Sequence, residues 1–382
     1  MEYKRLGEYI EPVDERNSKL EIKLSQGICN EKYFQDPRQV AENSAADKIV
    51  RRGYFAYNRA TTRNGEKISI AYREGPDCTV SSAYQVFRIK DEEKLNPKYL
   101  LMWYKRPDFD KYARFRSHGS AHEFFEYEEM CNVRIPLPSI ERQREIVSEY
   151  ETLTNRIRLN NQMIQHLEAT AQALYRKTFV DNIDKENLPE GWRMGTIGEF
   201  CEVITKGTTP STYNEEGRVN FVKAETILPE HCIEKKMLAH IDENIHCNEL
   251  KRSIVKENDI LFTIAGTLGK FCIVDKSILP ANTNQAVAII RIDESKVYPI
   301  DIYAMFVGGA HEDYCKRNIQ QAVQANLSLE TISRLPIVLP PNDMMNMFHN
   351  HVAPVFHSIY LKQQEISKLT ELQSLLLAKM GQ

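Results

Sequence analysis

Three groups of residues carry side chains that could do chemistry. Pro76-Asp77 followed by Glu92-Glu93-Lys94 matches the loose carboxylate pattern of metal-dependent nucleases, in which acidic groups hold Mg²⁺ and a lysine assists. That chemistry needs Glu92 and Lys94 on one strand beside Asp77, whereas Asp91 to Pro97 reads as a polar turn leading into a helix. His231-Cys232 and His246-Cys247 offer four zinc-ligating side chains. Adjacent His-Cys is an awkward chelate, and no standard finger spacing is present. Gly266-Thr267-Leu268-Gly269-Lys270 is too short for a phosphate-cradling loop and sits between strands. The strand-glycine-helix fingerprint of a cofactor-binding methyltransferase core is also missing. No cofactor or metal is expected in this chain.

A chain of 382 residues suits two domains. With 42% hydrophobic and 27% charged residues it can bury real cores, which excludes disorder as a description of the whole. No apolar run approaches the ~18 residues of a membrane span, and Met1 to Arg5 is followed by no signal-peptide core. The eight cysteines include no Cys-x-x-Cys pair and read as buried thiols of a cytoplasmic protein. The net charge of −3 argues against non-specific coating of nucleic acid. Locally, Arg51 to Arg116 holds fifteen Lys/Arg against eight Asp/Glu, while Lys251 to Asn318 holds nine against eight. Positive charge is concentrated in the first half.

The elements that must position any site come in duplicate. Arg134-Ile135-Pro136-Leu137-Pro138 and Ile337-Val338-Leu339-Pro340-Pro341 each introduce a long segment, and the two segments align without gaps at an offset of 202. Upstream, Gly53 to Tyr57 resembles Asn258 to Phe262, and Tyr84 to Arg88 resembles Val287 to Arg291. The long segments carry a strict heptad pattern. In the first, the rows are Ile146, Leu153, Asn160, Leu167, Leu174 and Tyr150, Ile157, Ile164, Ala171; in the second they are Phe348, Val355, Lys362, Leu369, Leu376 and Val352, Ile359, Ile366. Such a repeat specifies a left-handed coiled coil. Antiparallel pairing would set Asn160 beside Lys362 as one polar layer that fixes register. Strands are expected at Ile68 to Tyr72, Asp259 to Ile264 and Ala286 to Ile292, and helices at Pro97 to Tyr104 and Tyr298 to Val307. The boundaries read as 1–138 for the first domain, 139–180 for the first helix and 181–190 for a linker, then 191–340 for the second domain and 341–382 for the second helix.

This arrangement resembles the specificity subunit of type I restriction-modification enzymes. The resemblance is carried by Ile135-Pro136-Leu137-Pro138-Ser139-Ile140-Glu141-Arg142-Gln143, by Leu335 to Pro341, by Leu188-Pro189-Glu190-Gly191-Trp192, and by Ile204-Thr205-Lys206-Gly207-Thr208-Thr209-Pro210-Ser211. Asn342-Asp343-Met344-Met345 departs from the pattern, as does the start of the first domain, which lacks the Gly-Trp and Gly-Thr-Thr-Pro stretches. The resemblance implies an α+β fold with two target recognition domains separated by two long helices, the helices forming an antiparallel coiled coil with a pseudo-two-fold repeat. It implies a non-catalytic reader of an asymmetric bipartite site in double-stranded DNA. Two methyltransferase subunits and restriction subunits would dock, bringing S-adenosylmethionine, ATP and Mg²⁺. The alternatives are an interaction scaffold that never meets DNA, and the nuclease of Asp77, Glu92 and Lys94. A helix from Ile140 to Arg176 spans ~55 Å, enough to separate half-sites by one to one and a half turns of DNA.

Phosphates are contacted by Lys, Arg and hydroxyls, and base edges are read by Arg, Asn, Gln and Lys. Stretches fitting a loop presented to DNA are Asn58 to Gly65, Arg114 to Ser120 and Lys206 to Thr212, with Asn318 to Asn326 in the second-domain place of the Arg116 stretch. The candidate contacts are Arg59, Thr61, Thr62, Arg63, Arg114, Arg116, His118, Ser120, Lys206, Thr208, Thr209, Gln320, Gln324 and Asn326. Gly207 to Ser211 reads equally well as a structural turn that touches no base.

Overall fold

In the computed structural model, residues 3–37, 44–61, 67–117, 123–181, 183–320 and 326–381 are described. They form two compact units, Met1–Asn160 with Glu365–Gln382, and Asn161–Gln364. The sheets are built from β1 (Ile10–Val13), β2 (Phe55–Asn58), β3 (Ile70–Tyr72) and β4 (Tyr84–Ile89) in the first unit, and β5 (Cys201–Lys206), β6 (Ile260–Thr263), β7 (Phe271–Ile273) and β8 (Val287–Ile292) in the second. The helices are α1 (Pro97–Tyr104), α2 (Pro107–Phe115), α3 (Tyr127–Asn132), α4 (Ile140–Phe179), α5 (Pro299–Val307), α6 (Glu312–Gln320), α7 (Leu329–Ser333) and α8 (Asn342–Lys379).

Each unit centres on a four-stranded antiparallel sheet with the same strand order, β1-β4-β2-β3 and β5-β8-β6-β7. The inner strands β2 and β6 are mainly apolar because both of their faces are buried, while their inner neighbours β4 and β8 each carry one arginine, Arg88 and Arg291. Phe55 and Tyr57 point into one core with Phe87 and Tyr104, while Ala56 points into another with Val50, Cys78 and Val80. In the second unit Ile260 and Phe262 face one core and Leu261 the other. A short strand pair ties each domain's start to the approach of its long helix: Tyr3–Arg5 pairs with Arg134–Pro136, and Arg193–Thr196 with Pro336–Leu339. The strand at 68–72 is shorter than expected, because the Ile68 amide is taken by Asp110 instead of a neighbouring strand.

The long helices pack antiparallel within each unit. In the first, Ile146, Tyr150, Leu376 and Met380 share a core, Gln373 Nε2 donates to Thr154 Oγ1 at 2.6 Å, and Arg156 meets Glu365 at 2.5 Å. In the second, Phe179 meets Phe348 edge-on at 4.9 Å, in a core with Ala171, Val352 and Ile359. The expected seam positions Tyr150, Leu153, Ile157, Ile164, Leu167, Leu174, Val355, Lys362, Ile366, Leu369 and Leu376 are half-buried, and Asn160 and Ile359 are buried.

Gln143, at the start of α4, fixes the first domain on its helix. Its buried amide donates to Lys94 O at 3.0 Å and Pro138 O at 2.9 Å and accepts from the Asn96 amide at 2.8 Å. The second repeat has Met345 at that position. There His349 Nδ1 lies 2.9 Å from the buried carboxylate of Asp301, and its ring stacks on Tyr298 at 4.0 Å. Gln143→Met copies the second repeat but leaves three backbone groups unpaired. It is expected to lower stability by about 3 kcal/mol in urea denaturation; a loss under about 1 kcal/mol would show that water replaces the amide.

Candidate nucleic-acid interface

In each unit, two connections leave the fold side by side at one end of the four-stranded sheet. In the first, Ala60 bridges to Phe124, the Thr61 amide donates to Glu123 O at 3.0 Å, and the Phe125 amide donates to Arg59 O at 2.8 Å. The β2–β3 turn and the α2–α3 connection therefore start from one frame. Asp110 and Lys32 brace it from below. Lys32 Nζ lies 2.5 Å from Asp110 Oδ1 and donates to Ile68 O at 3.2 Å, while the Ile68 amide donates to the same carboxylate at 3.1 Å. Burial pulls the Lys32 ammonium below its usual pKa, and the Asp110 carboxylate opposes that shift.

Arg59, Arg114 and Arg116 converge on this frame. Arg59 Nε donates to Ala83 O at 3.3 Å, Nη1 reaches Glu126 at 3.3 Å, and the guanidinium sits 5.8 Å from the Phe124 ring centre. Arg114 Nη1 donates to Thr61 O at 3.4 Å and Nη2 lies 3.4 Å from Glu123. Arg116 Nε donates to Glu129 at 2.7 Å, which raises the guanidinium's pKa. Thr61 has a different job from the one expected. It is 3% exposed and its hydroxyl donates to Glu123 O at 3.2 Å, so it roots the turn. The stretch from Arg114 is also not a loop from its start. Pro107 at the first helical position and Asp108 and Asp110 in the first turn set a helix that runs through Phe115, with Arg116 as its cap. Phe115, not singled out by its sequence, is 80% exposed between the two arginines. Thr62, Arg63, His118 and Ser120 lie outside the described residues.

In the second unit the Leu327 amide donates to Ile264 O at 2.9 Å and the Ile264 amide to Ala286 O at 2.8 Å. This repeats the Phe125–Arg59 link of the first unit. Leu327, where the chain returns after α6, is thus held beside the start of the β6–β7 turn, Ala265 to Lys270. That turn looked like a failed phosphate loop, yet the offset that aligns β2 with β6 carries the Arg59 turn onto it. Gly266 and Gly269 have φ of 73° and 82° there, which favours glycine. Lys206, Thr208 and Thr209 are exposed at the same end of the sheet. The Gly207 amide donates to Val287 O at 3.2 Å, the Thr208 amide to Thr283 O at 3.1 Å, and the Thr209 hydroxyl to Gln285 Oε1 at 2.5 Å. A Cβ on Gly207 would meet Thr283 O at 1.9 Å, so the glycine is required by close packing. Asn318 and Gln320 belong to α6, again a helix where a loop was expected, and Asn326 is exposed just before Leu327. Gln324 and the side chain of Gln320 lie outside the described residues.

The other candidate chemistries come apart. Asp77 accepts from Arg51 Nη1 at 3.0 Å and the Arg52 amide at 2.8 Å, while Lys94 pairs with Asp91 at 3.4 Å. His231 stacks on Phe271 at 4.2 Å and His246 Nδ1 lies 2.5 Å from Asn282 Oδ1. Among the described residues, no group of three or more His, Cys, Asp or Glu could hold a metal ion, and no helix is long and apolar enough to cross a membrane. The basic surplus of the first half is largely offset by glutamates from outside that window, including Glu11, Glu15, Glu126, Glu129 and Glu151.

A family model described as the type I restriction modification DNA specificity domain matches residues 46–169 and 189–370. The chain is 23% identical over 304 residues to the type I restriction enzyme MjaIX specificity subunit of Methanocaldococcus jannaschii, covering 74% of this chain and 68% of that one. It is 19% identical over 408 residues to the HindI specificity subunit of Haemophilus influenzae, covering 88% and 87%. The crystal structure of a type I restriction-modification S subunit from M. genitalium superposes with a TM-score of 0.60 at 13% identity, covering 99% of this chain and 95% of that one, which shows a shared fold.

Gly207→Ala is expected to lower stability by about 3 kcal/mol in urea denaturation, since backbone must move; a neutral result would place the turn elsewhere. His311, at the start of α6, is enclosed by Phe262, Phe271 and Phe306 at 5.1 to 5.5 Å, and burial pushes its pKa down to about 4. The unfolded chain binds this proton first, near pH 6.5. Stability should therefore fall between about pH 6.5 and pH 4, by about 3 kcal/mol in total. His311→Phe, which copies Phe109 of the first repeat, is expected to flatten that slope in urea titrations at pH 7 and pH 4.5.

Proposed function

The chain belongs to the type I restriction modification DNA specificity family, and from that premise we propose that each of its domains reads one half of a split DNA site with the sheet end described above. It is a non-catalytic DNA sequence-recognition subunit of a type I restriction-modification system. The observation that carries the proposal is the repeated frame. In two domains that differ in sequence, the same pair of connections emerges together, at Arg59–Phe125 and at Ile264–Leu327. Equivalent geometry with different side chains gives two half-sites of different sequence, hence an asymmetric target.

Residues 1–138 and 191–340 act as the recognition domains, 139–180 and 341–382 as spacer helices, and 181–190 as the linker. Arg59, Arg114 and Arg116 contact the first half-site, with Phe115 as an apolar neighbour suited to a thymine methyl. Thr62, Arg63, His118 and Ser120 belong to the same two connections. Lys206, Thr208, Thr209, Gln320, Gln324 and Asn326 contact the second half-site, joined by Thr267 and Lys270 of the β6–β7 turn. The helices dock two methyltransferase subunits, which bring S-adenosylmethionine, and restriction subunits, which bring the ATP and Mg²⁺ chemistry. Exposed Leu159 and Met163 on α4 and Leu372 and Leu375 on α8 lie off the seam and offer apolar surface for a partner to cover. The assembly works in the cytoplasm.

Methylation mapping of DNA exposed to this chain and its methyltransferase tests the reading. A split asymmetric motif that disappears without this chain is the expected result, and a motif that persists without it would overturn the proposal. Removing one heptad from both helices is expected to shorten the preferred spacer by about three base pairs, since each heptad contributes ~10 Å. An unchanged spacer would show that the helices are not the ruler.

A further inference from the structure

The three arginines of the first interface each meet a carboxylate, and all three carboxylates come from one short stretch. Glu123 faces Arg114 at 3.4 Å, Glu126 faces Arg59 at 3.3 Å and Glu129 faces Arg116 at 2.7 Å. The stretch is fixed by its own backbone. It bridges to Ala60 at Phe124, donates from Phe125 to Arg59 O and runs on into α3. Among the described residues these contacts use no more than two of each guanidinium's five donors. The remaining donors are left for another acceptor. In the second interface, no carboxylate lies within ion-pair range of Lys206 among the described residues.

We propose that Glu123, Glu126 and Glu129 are specificity-determining residues of the first domain, which cancel the general attraction of its arginines for phosphate while leaving their outer donors to read base edges. The inference rests on the reading of this sheet end as the DNA interface. Attraction to phosphate supplies most of the affinity for arbitrary DNA and carries no sequence information. An arginine already beside a carboxylate gains little from a phosphate, because its charge is neutralised and phosphate is repelled by the neighbour. A guanine edge, by contrast, is recognised by two directed hydrogen bonds that a carboxylate-paired guanidinium can still donate. The pairs therefore lower affinity for the wrong sequence more than for the right one, which is how specificity is obtained as a difference of affinities.

The test uses the complex of this chain with its methyltransferase subunits. One duplex carries the mapped target, and a second has its first half-site scrambled. For Glu123→Gln/Glu126→Gln/Glu129→Gln, affinity for the scrambled duplex is expected to rise about tenfold, with a similar fall in the target-to-scrambled ratio. The slope of log affinity against log salt on that duplex should steepen by about 2 to 3. Glu126→Gln alone, at the most exposed of the three carboxylates, is expected to lower the ratio two- to threefold and keeps the test open if the triple variant does not fold. Glu8→Gln/Glu92→Gln/Glu93→Gln makes the same charge change beyond the far end of β4, where Lys90 holds Glu8 O, and should alter the ratio less than twofold. An unchanged ratio in the first variant, or an equal fall in the control, overturns the proposal. A wild-type complex that fails to distinguish the two duplexes removes the DNA-interface reading itself, an outcome separate from failure of the glutamate variants.

Discussion

The structure depends on one constraint: each unit's core is closed by both long helices, taken from opposite ends. In the first unit the early turns of α4 and the last turns of α8 share a core with the sheet's Phe55 and Phe87. In the second the late turns of α4 and early turns of α8 close around Phe262 and Phe306. A two-row seam suits helices that meet each other along their middles and a domain core near each end. Away from the domains the buried strip narrows to the alternating positions Leu153, Ile157, Asn160 and Ile164. Near the domains it widens to take in Val147 and Tyr175.

Duplication has kept the frame and released the details. Strand order, the strand pair that closes each domain and the link between neighbouring connections recur in both units, because each is made by backbone. The side chains that brace them have diverged. The Gln143 clamp became an Asp301–His349 pair with a stacked Tyr298. Phe109, packed beside the Lys32–Asp110 brace, became His311 in a cage of three phenylalanines. Backbone geometry preserved under changing side chains is what a pair of readers for unlike sequences needs, since the loops must stay in place while their contacts differ.

Much of this was legible in the sequence because it rests on periodicity and punctuation. The heptads of both helices, the polar turn that leads into α1 at Pro97, and the apolar inner strands are all local signals. The sites were less legible because their geometry is set by distant partners. Arg114 to Ser120 looked like a loop because its basic and small residues outweigh the helix signals that start at Pro107, seven residues before Arg114. Thr61 looked like a phosphate contact, but its hydroxyl is used by Glu123 O, sixty-two residues away. The Ala265 to Lys270 turn was hidden by its glycines, which suggest a phosphate cradle until the repeat aligns it with the Arg59 turn. The basic surplus of the first half was a window effect, as the balancing glutamates lie outside the window that was counted.

The placement of Met380 has a consequence for biosynthesis. Met380 is buried among first-unit core residues, and the Tyr3 hydroxyl donates to Gly381 O at 2.8 Å. A ribosome delivers the first domain before the second and these residues after the second, so the domain made first is completed only after the second has been made. The nascent first domain must wait with Tyr150 and its neighbours uncovered while the whole second domain is synthesised and folds. Closing a loop of that length makes the final docking a late, long-range step in maturation. A chain truncated inside α8 would therefore be defective in its first domain, far away in sequence from the lesion.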